Sequence, residues 1–103
     1  MYVFVRTNNP HPTFHLDMTD AEKQVMQQHV VYWTEKGEQG IAVVFGPVLD
    51  PKGVYGIGIY KVDDLAHMRR LLADDPAREI LKYEVFEMPR AVVGSHSLPS
   101  TTG

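Results

Sequence analysis

The chain has 103 residues, of which 44% are hydrophobic, and a formal net charge of −3. That length suits one compact core and is too short for two ordinary domains. The acidic balance and the scatter of the ten Lys and Arg residues disfavour a nucleic-acid partner, which needs a concentrated positive surface, and the lack of cysteine rules out disulfides, thiolate nucleophiles and cysteine-ligated zinc.

No apolar run approaches the roughly 20 residues needed to cross a bilayer, so no membrane span or membrane partner is expected. Met1 to Arg6 shows no basic leader followed by an apolar stretch and a cleavage site, and the expected location is cytoplasmic. A chain this small buries only about two-thirds of its unfolded surface, which favours association.

Tyr2 to Arg6, rich in aromatic and β-branched residues, reads as a first strand that ends at the turn-forming Thr7-Asn8-Asn9-Pro10. Asn8 to Asp17 contains Pro10 and Pro12 and is expected to be an irregular loop. Thr19 or Asp17 then caps a helix, with Glu22 in the capping-box position after Thr19. From Asp20 to Lys36, the apolar positions Ala21, Val25, Met26, Val30 and Trp33 recur at helical spacing, and Gly37 and Gly40 are expected to end the element.

Ile41 to Phe45 reads as a second strand stopped by Gly46-Pro47. Asp50-Pro51-Lys52-Gly53 has the composition of a reverse turn, and Val54 to Val62 resumes a β pattern, so strands two and three form a hairpin. Gly56 and Gly58 share a face of strand three, which points to a close approach, a bulge or tight packing there. Asp63 or Asp64 caps a second helix with Leu65, Met68, Leu71 and Leu72 inward, ending near Asp74-Asp75-Pro76. A helical turn through Ala77 to Leu81 leads into a last strand, Tyr83 to Met88. Residues 1–90 form the expected domain, and 91–103 a tail, mobile or packed on a partner subunit.

The resulting order, β-α-β-β-α-β, predicts an α+β, ferredoxin-like fold with a four-stranded antiparallel sheet and helices on one face. The first two strands are apolar on both sides, a pattern of strands covered on both faces. With only two long helices in the chain, the second face is expected to pack on another subunit's sheet, giving a homodimer.

On this frame three local features stand in order: His29 midway along the first helix, Gly46-Pro47 at the end of a strand, and Ala73-Asp74-Asp75-Pro76 before the last strand. Together they resemble the YCII-related family of dimeric α/β barrel proteins over Met1 to Pro89. The resemblance implies a dimer with a cleft beside each sheet and a histidine–aspartate pair as the active site, here His29 and Asp75. A few relatives act in ring opening or dehalogenation of aromatic compounds, and a shared fold does not transfer chemistry.

From spacing alone, His29 falls on the stripe Ala21, Val25, His29, Trp33, so its ring points toward the sheet, either as a satisfied core histidine or as a proton carrier. A carboxylate bonded to one ring nitrogen fixes the tautomer and leaves the other nitrogen free to move a substrate proton. Asp74 and Asp75 compete for that role, and the resemblance favours Asp75 because it directly precedes proline. Gly46 and Pro47 let a ligand approach the backbone or simply stop the strand. Tyr32, Trp33 and Phe45 line an apolar cleft for a planar substrate or fill the core.

His11 and His15 lie in a segment broken by two prolines with no third ligand nearby, so no metal site is expected and a loop that lids the cleft is the better reading. His67 and His96 are assigned no role. Serine is confined to 95, 97 and 100, and there is no phosphate loop, nucleophile elbow or HExxH motif. The expectation is cofactor-free general acid/base chemistry on a small organic molecule. The alternatives are a ligand-binding module without turnover and a purely structural dimer.

Overall fold

The computed structural model describes residues 1–94. Strand β1 (Tyr2–Asn8) is followed by a short helix α1 (Phe14–Asp17), helix α2 (Asp20–Glu38), the hairpin β2 (Ala42–Val48) and β3 (Tyr55–Lys61), helix α3 (Leu65–Ala73) and β4 (Lys82–Met88). The strands form one antiparallel sheet in the order β2-β3-β1-β4, with β3 between β1 and β2. This is the α+β, ferredoxin-like arrangement that the sequence predicts. No helix among the described residues is long and apolar enough to cross a membrane. The expected tail lies, from residue 95 onward, outside the described residues, as does His96.

Local chemistry sets the element bounds. The Thr19 side chain accepts from the Glu22 N–H at 3.1 Å, and Glu22 returns an acceptor to the Thr19 N–H at 2.8 Å, so the cap of α2 is Thr19 and not Asp17. Helix α2 runs straight through Gly37 and ends before Gly40, whose φ of +79° suits a residue without a Cβ. Asp64 caps α3 by accepting from the His67 N–H at 2.8 Å. In the β2–β3 turn, the Gly53 N–H donates to the Asp50 carbonyl at 2.9 Å.

Two expectations need correction. The stretch 8–17 is not wholly irregular: Phe14, 2% exposed, plugs into the protein and nucleates one turn of helix behind the two prolines. Nor do Gly46 and Pro47 stop the second strand, which continues to Val48 with Pro47 opposite Gly56. The reason is position: β2 is an edge strand, where a proline is tolerated because one side of the strand has no ladder to interrupt.

The core lies between the sheet and the helices. Val3 and Val5 of β1, Trp33 of α2, Tyr60 of β3, and Met68, Leu71 and Leu72 of α3 pack there together. Along α2 the inward stripe deepens from exposed Ala21 to buried His29 and Trp33, so the first half of the helix stands away from the sheet, and α1 occupies the space beside it. On the other face, strand alternation and register bring together Phe4, Val44, Ile57, Ile59 and Phe86. Val44 and Phe86 are each about half exposed.

The glycines of β3 acquire a concrete reason. The Tyr60 ring folds back over Gly58 on the helix side, and any Cβ at position 58 would overlap that ring. Gly58→Ala is expected to destabilise the domain by about 1–3 kcal/mol in urea unfolding, the usual cost of overpacking a filled core. Shortening the ring in Gly58→Ala/Tyr60→Leu should recover part of that loss. An additive double variant would contradict the packing account.

Candidate active site

Asp75 anchors the site. The chain leaves α3 at Ala73, and Pro76 prevents the helix from resuming. The carboxylate then turns back on its own backbone, accepting from the Ala77 N–H through Oδ1 at 2.8 Å. It is fully buried. Oδ2 accepts from Trp33 Nε1 at 2.8 Å and from the Tyr83 hydroxyl at 2.8 Å, while His29 Nδ1 lies 2.9 Å from Oδ1 and 2.8 Å from Oδ2. His29 and Trp33, four apart on α2, share a face and therefore reach the same carboxylate. Asp74, the competing partner, is the exposed C-cap of α3, and no hydrogen bond links it to His29.

This environment decides the protonation states. Burial pushes the Asp75 carboxyl up, but the hydrogen bonds from His29, Ala77 and Trp33 outweigh it and hold the group below its ordinary 3.8. Burial, reinforced by donation to Asp75, drives the Tyr83 hydroxyl well above the ordinary tyrosine value, so Tyr83 stays a donor. Burial and then the Asp75 charge do the same to Tyr60. An ionised carboxylate only accepts, so Nδ1 of His29 carries the proton in the neutral ring, leaving Nε2 as the lone-pair nitrogen on the opposite edge.

That ring also lines a cavity of about 230 Å³ between α2, α1 and the ends of β1, β2 and β3. His29 itself is 6% exposed, whereas His15, Val30 and Pro47 at the cavity rim are open to solvent. Phe45, with its ring centroid 5.5 Å from that of His29, forms one wall. Of the residues singled out in the sequence, His29, Phe45, Gly46 and Pro47 line this space. Asp75 lies behind His29.

Tyr32 and Trp33 are placed elsewhere. Trp33, 2% exposed, spends its indole N–H on Asp75. Tyr32 donates to the Leu71 carbonyl at 2.6 Å and borders a separate groove along the outer side of α2; burial, followed by the charges of Asp74 and Asp75, pushes its hydroxyl up to about 12. His15 reaches the cavity, but His11 turns away, 2.7 Å from Asp17 and edge-on to Phe14. Bonds from Thr13 and His11 hold the Asp17 carboxyl below its usual range, so α1 is a braced element. Among the described residues, no three His, Asp or Glu side chains converge as a metal site would need.

Among the participants that escape the sequence are Tyr83, a donor to Asp75, and Phe14, a cavity wall; His15, in the loop expected to lid the cleft, does line the cavity. Phe14 had a signal, as the one aromatic residue in a proline-broken stretch. Tyr83 had none, because its partner lies across a turn.

These features define a ferredoxin-like α+β domain with an apolar cavity set against a buried histidine–aspartate pair. The model of the YCII-related domain matches residues 1–89, and the chain belongs to the YCII-related family. Among solved structures, it is similar to muconolactone isomerase, with a TM-score of 0.71 and 16% identity over 94% of this chain and 97% of that one. It is also similar to 5-chloro-2-hydroxyhydroquinone dehydrochlorinase from Burkholderia phenoliruptrix AC1100, in complex with 2,5-dihydroxybenzoquinone, with a TM-score of 0.68 and 11% identity over 88% and 96%. At these identities the likeness is one of fold. No curated protein matches the chain.

The depressed Asp75 pKa has a signed consequence. A carboxyl whose folded pKa lies below its unfolded one contributes stability above the unfolded value, and that contribution is lost as pH falls through the folded value. Asp75→Asn is therefore expected to cost about 3 kcal/mol at neutral pH, because the amide cannot accept from all four donors. The gap should narrow as pH falls from the ordinary carboxyl value of 3.8 through the lower folded value, read by urea unfolding across the acid range. A gap independent of pH would mean that the charge is not what stabilises the cluster.

Proposed function

We propose that this protein is a cofactor-independent enzyme that moves a proton on a small organic substrate, with His29 as general base and acid and Asp75 as its orienting partner. The observation that carries this reading is that one imidazole both donates Nδ1–H to a buried, ionised carboxylate and lines a cavity whose rim is open to solvent. His29 Nε2 takes a proton from a substrate C–H or O–H made acidic by a neighbouring carbonyl or ring. The bond to hydrogen breaks, an N–H forms, and the imidazolium charge is balanced by Asp75. Returning that proton to a different atom gives isomerisation; loss of a leaving group from the resulting anion gives elimination. The names of the two structural relatives, an isomerase and a dehydrochlorinase, are in keeping with these outcomes.

The test is turnover of a panel of unsaturated lactones and halogenated hydroquinones, followed by proton NMR and by halide release. Wild type is expected to convert at least one member, and His29→Gln to lose at least about 100-fold in rate, the usual contribution of a positioned acid/base group. Binding that persists in His29→Gln, with no turnover by either protein, would favour a non-catalytic ligand-binding module. Asp75→Asn should be slowed while the histidine remains, and nitrogen NMR should show its ring proton released from Nδ1.

The reading extends to assembly as a homodimer through the open sheet face. Its support is the apolar set Phe4, Val44, Ile57, Ile59 and Phe86 on the side away from the helices, of which Val44 and Phe86 are about half exposed. Light scattering at micromolar concentration is expected to give twice the chain mass of 11.7 kDa, and Phe86→Glu to shift the protein toward monomer. A wild-type monomer would overturn this arrangement.

A further inference from the structure

The cavity against His29 carries a second kind of information, namely which charge it admits. Among its described lining residues there is no Lys, Arg, Asp or Glu; the polar groups are Thr7, Asn9, His15, His29 and Tyr55. Arg6 stacks 3.8 Å over the Tyr55 ring, but its guanidinium is engaged by Asn8 at 2.9 Å and stands 3.8 Å from Glu84. His15 and His29 are then the lining side chains, among the described residues, that can carry a positive charge to meet an anion, and His29 already faces the charge of Asp75.

Charge counting then separates ligand classes. With neutral His29, the histidine–aspartate pair bears a single negative charge. An uncharged acid leaves that total unchanged when it enters, and still unchanged after its proton moves to Nε2, because the new anion is matched by the new imidazolium. A carboxylate entering the same space doubles the buried negative charge, or must bring a proton from solvent with it. Uncompensated burial of an ion costs several kcal/mol.

Size and wall chemistry narrow the class further. A cavity of about 150 Å³ lined by apolar side chains holds a benzene ring. At about 230 Å³ this one has room for a single ring with one or two small substituents. Phe14 and Phe45 offer flat surfaces, and the thioethers of Met18 and Met26 adapt to a substituted edge.

We propose that the cavity selects an uncharged, single-ring molecule bearing a weakly acidic hydroxyl, of the phenol or enol class, whose O–H proton passes to His29 Nε2, and that it discriminates against carboxylates. The proton step rests on the acid/base reading of His29; the selection by size and charge does not. In the step, the O–H bond breaks, the N–H bond forms, and the electron pair stays on the ligand oxygen beside the imidazolium.

The experiment uses 4-nitrophenol, whose absorbance reports its ionisation, and 4-nitrobenzoate, a ring of similar size that carries a carboxylate. Wild type is expected to bind 4-nitrophenol with an enhanced phenolate band and with shifts in the Met18 and Met26 methyl signals. Both ligands are compared at about pH 6, where 4-nitrophenol is still mostly protonated in solution and 4-nitrobenzoate is ionised; there 4-nitrobenzoate should bind at least about tenfold more weakly, equivalent to about 1.4 kcal/mol. His29→Gln, checked for fold by circular dichroism, should still bind 4-nitrophenol but without the enhanced band. Equal affinity for both rings, or no methyl shift with either ring at millimolar concentration, overturns the selectivity. Preferential binding of 4-nitrophenol with a phenolate band identical in wild type and His29→Gln overturns the proton step and the acid/base reading, while the size and charge selection stands.

Discussion

A carboxylate with no exposure to water is the constraint around which this small domain is arranged. An ion in that position survives only if its lone pairs are taken by donors at good distance. Here the donors come from separate parts of the chain: two from the middle of α2, one from the backbone after α3, and one from β4. Satisfying Asp75 therefore fixes how α2 lies against the sheet and where the turn before β4 must run. The same set of bonds orients His29, so the geometry of the candidate site and the packing of the fold have a common origin.

The cluster also explains a division of labour among aromatic residues that look equivalent in sequence. Trp33 and Tyr83 place their polar tips on the carboxylate and their rings in the core, whereas Phe45, which has no polar tip, faces the cavity. Tyr60 sits under Trp33 with ring centroids 4.7 Å apart, and it has room to do so only because position 58 lacks a side chain. With the polar tips of Trp33 and Tyr83 spent on the carboxylate, the surfaces left for a ligand are largely apolar.

Much of the frame is legible in the sequence, because local signals and global demands agree there. The capping box at Thr19, the Asp50-Pro51-Lys52-Gly53 turn and the inward stripe of α3 each specify their element from a few neighbouring residues. The adjacency of His29 and Asp75 is not local; spacing shows only that His29 faces inward, and the family resemblance supplied its partner. Tyr83 and Phe14 are hidden for the same reason, since their roles depend on contacts across the fold. The extent of β2 was misjudged because proline is excluded from central strands and not from edges, and strand order is a property of the whole sheet.

Pro47 has a further consequence at that edge. An outer strand offers a row of free amide and carbonyl groups on which a foreign strand can polymerise, and β2 is apolar enough to invite it. A ring nitrogen without hydrogen breaks the row near its end, in the same residue whose other side closes the cavity. One imino acid thus interrupts the pairing groups of the β2 edge while shaping the pocket wall, so a single residue serves both the sheet boundary and the site.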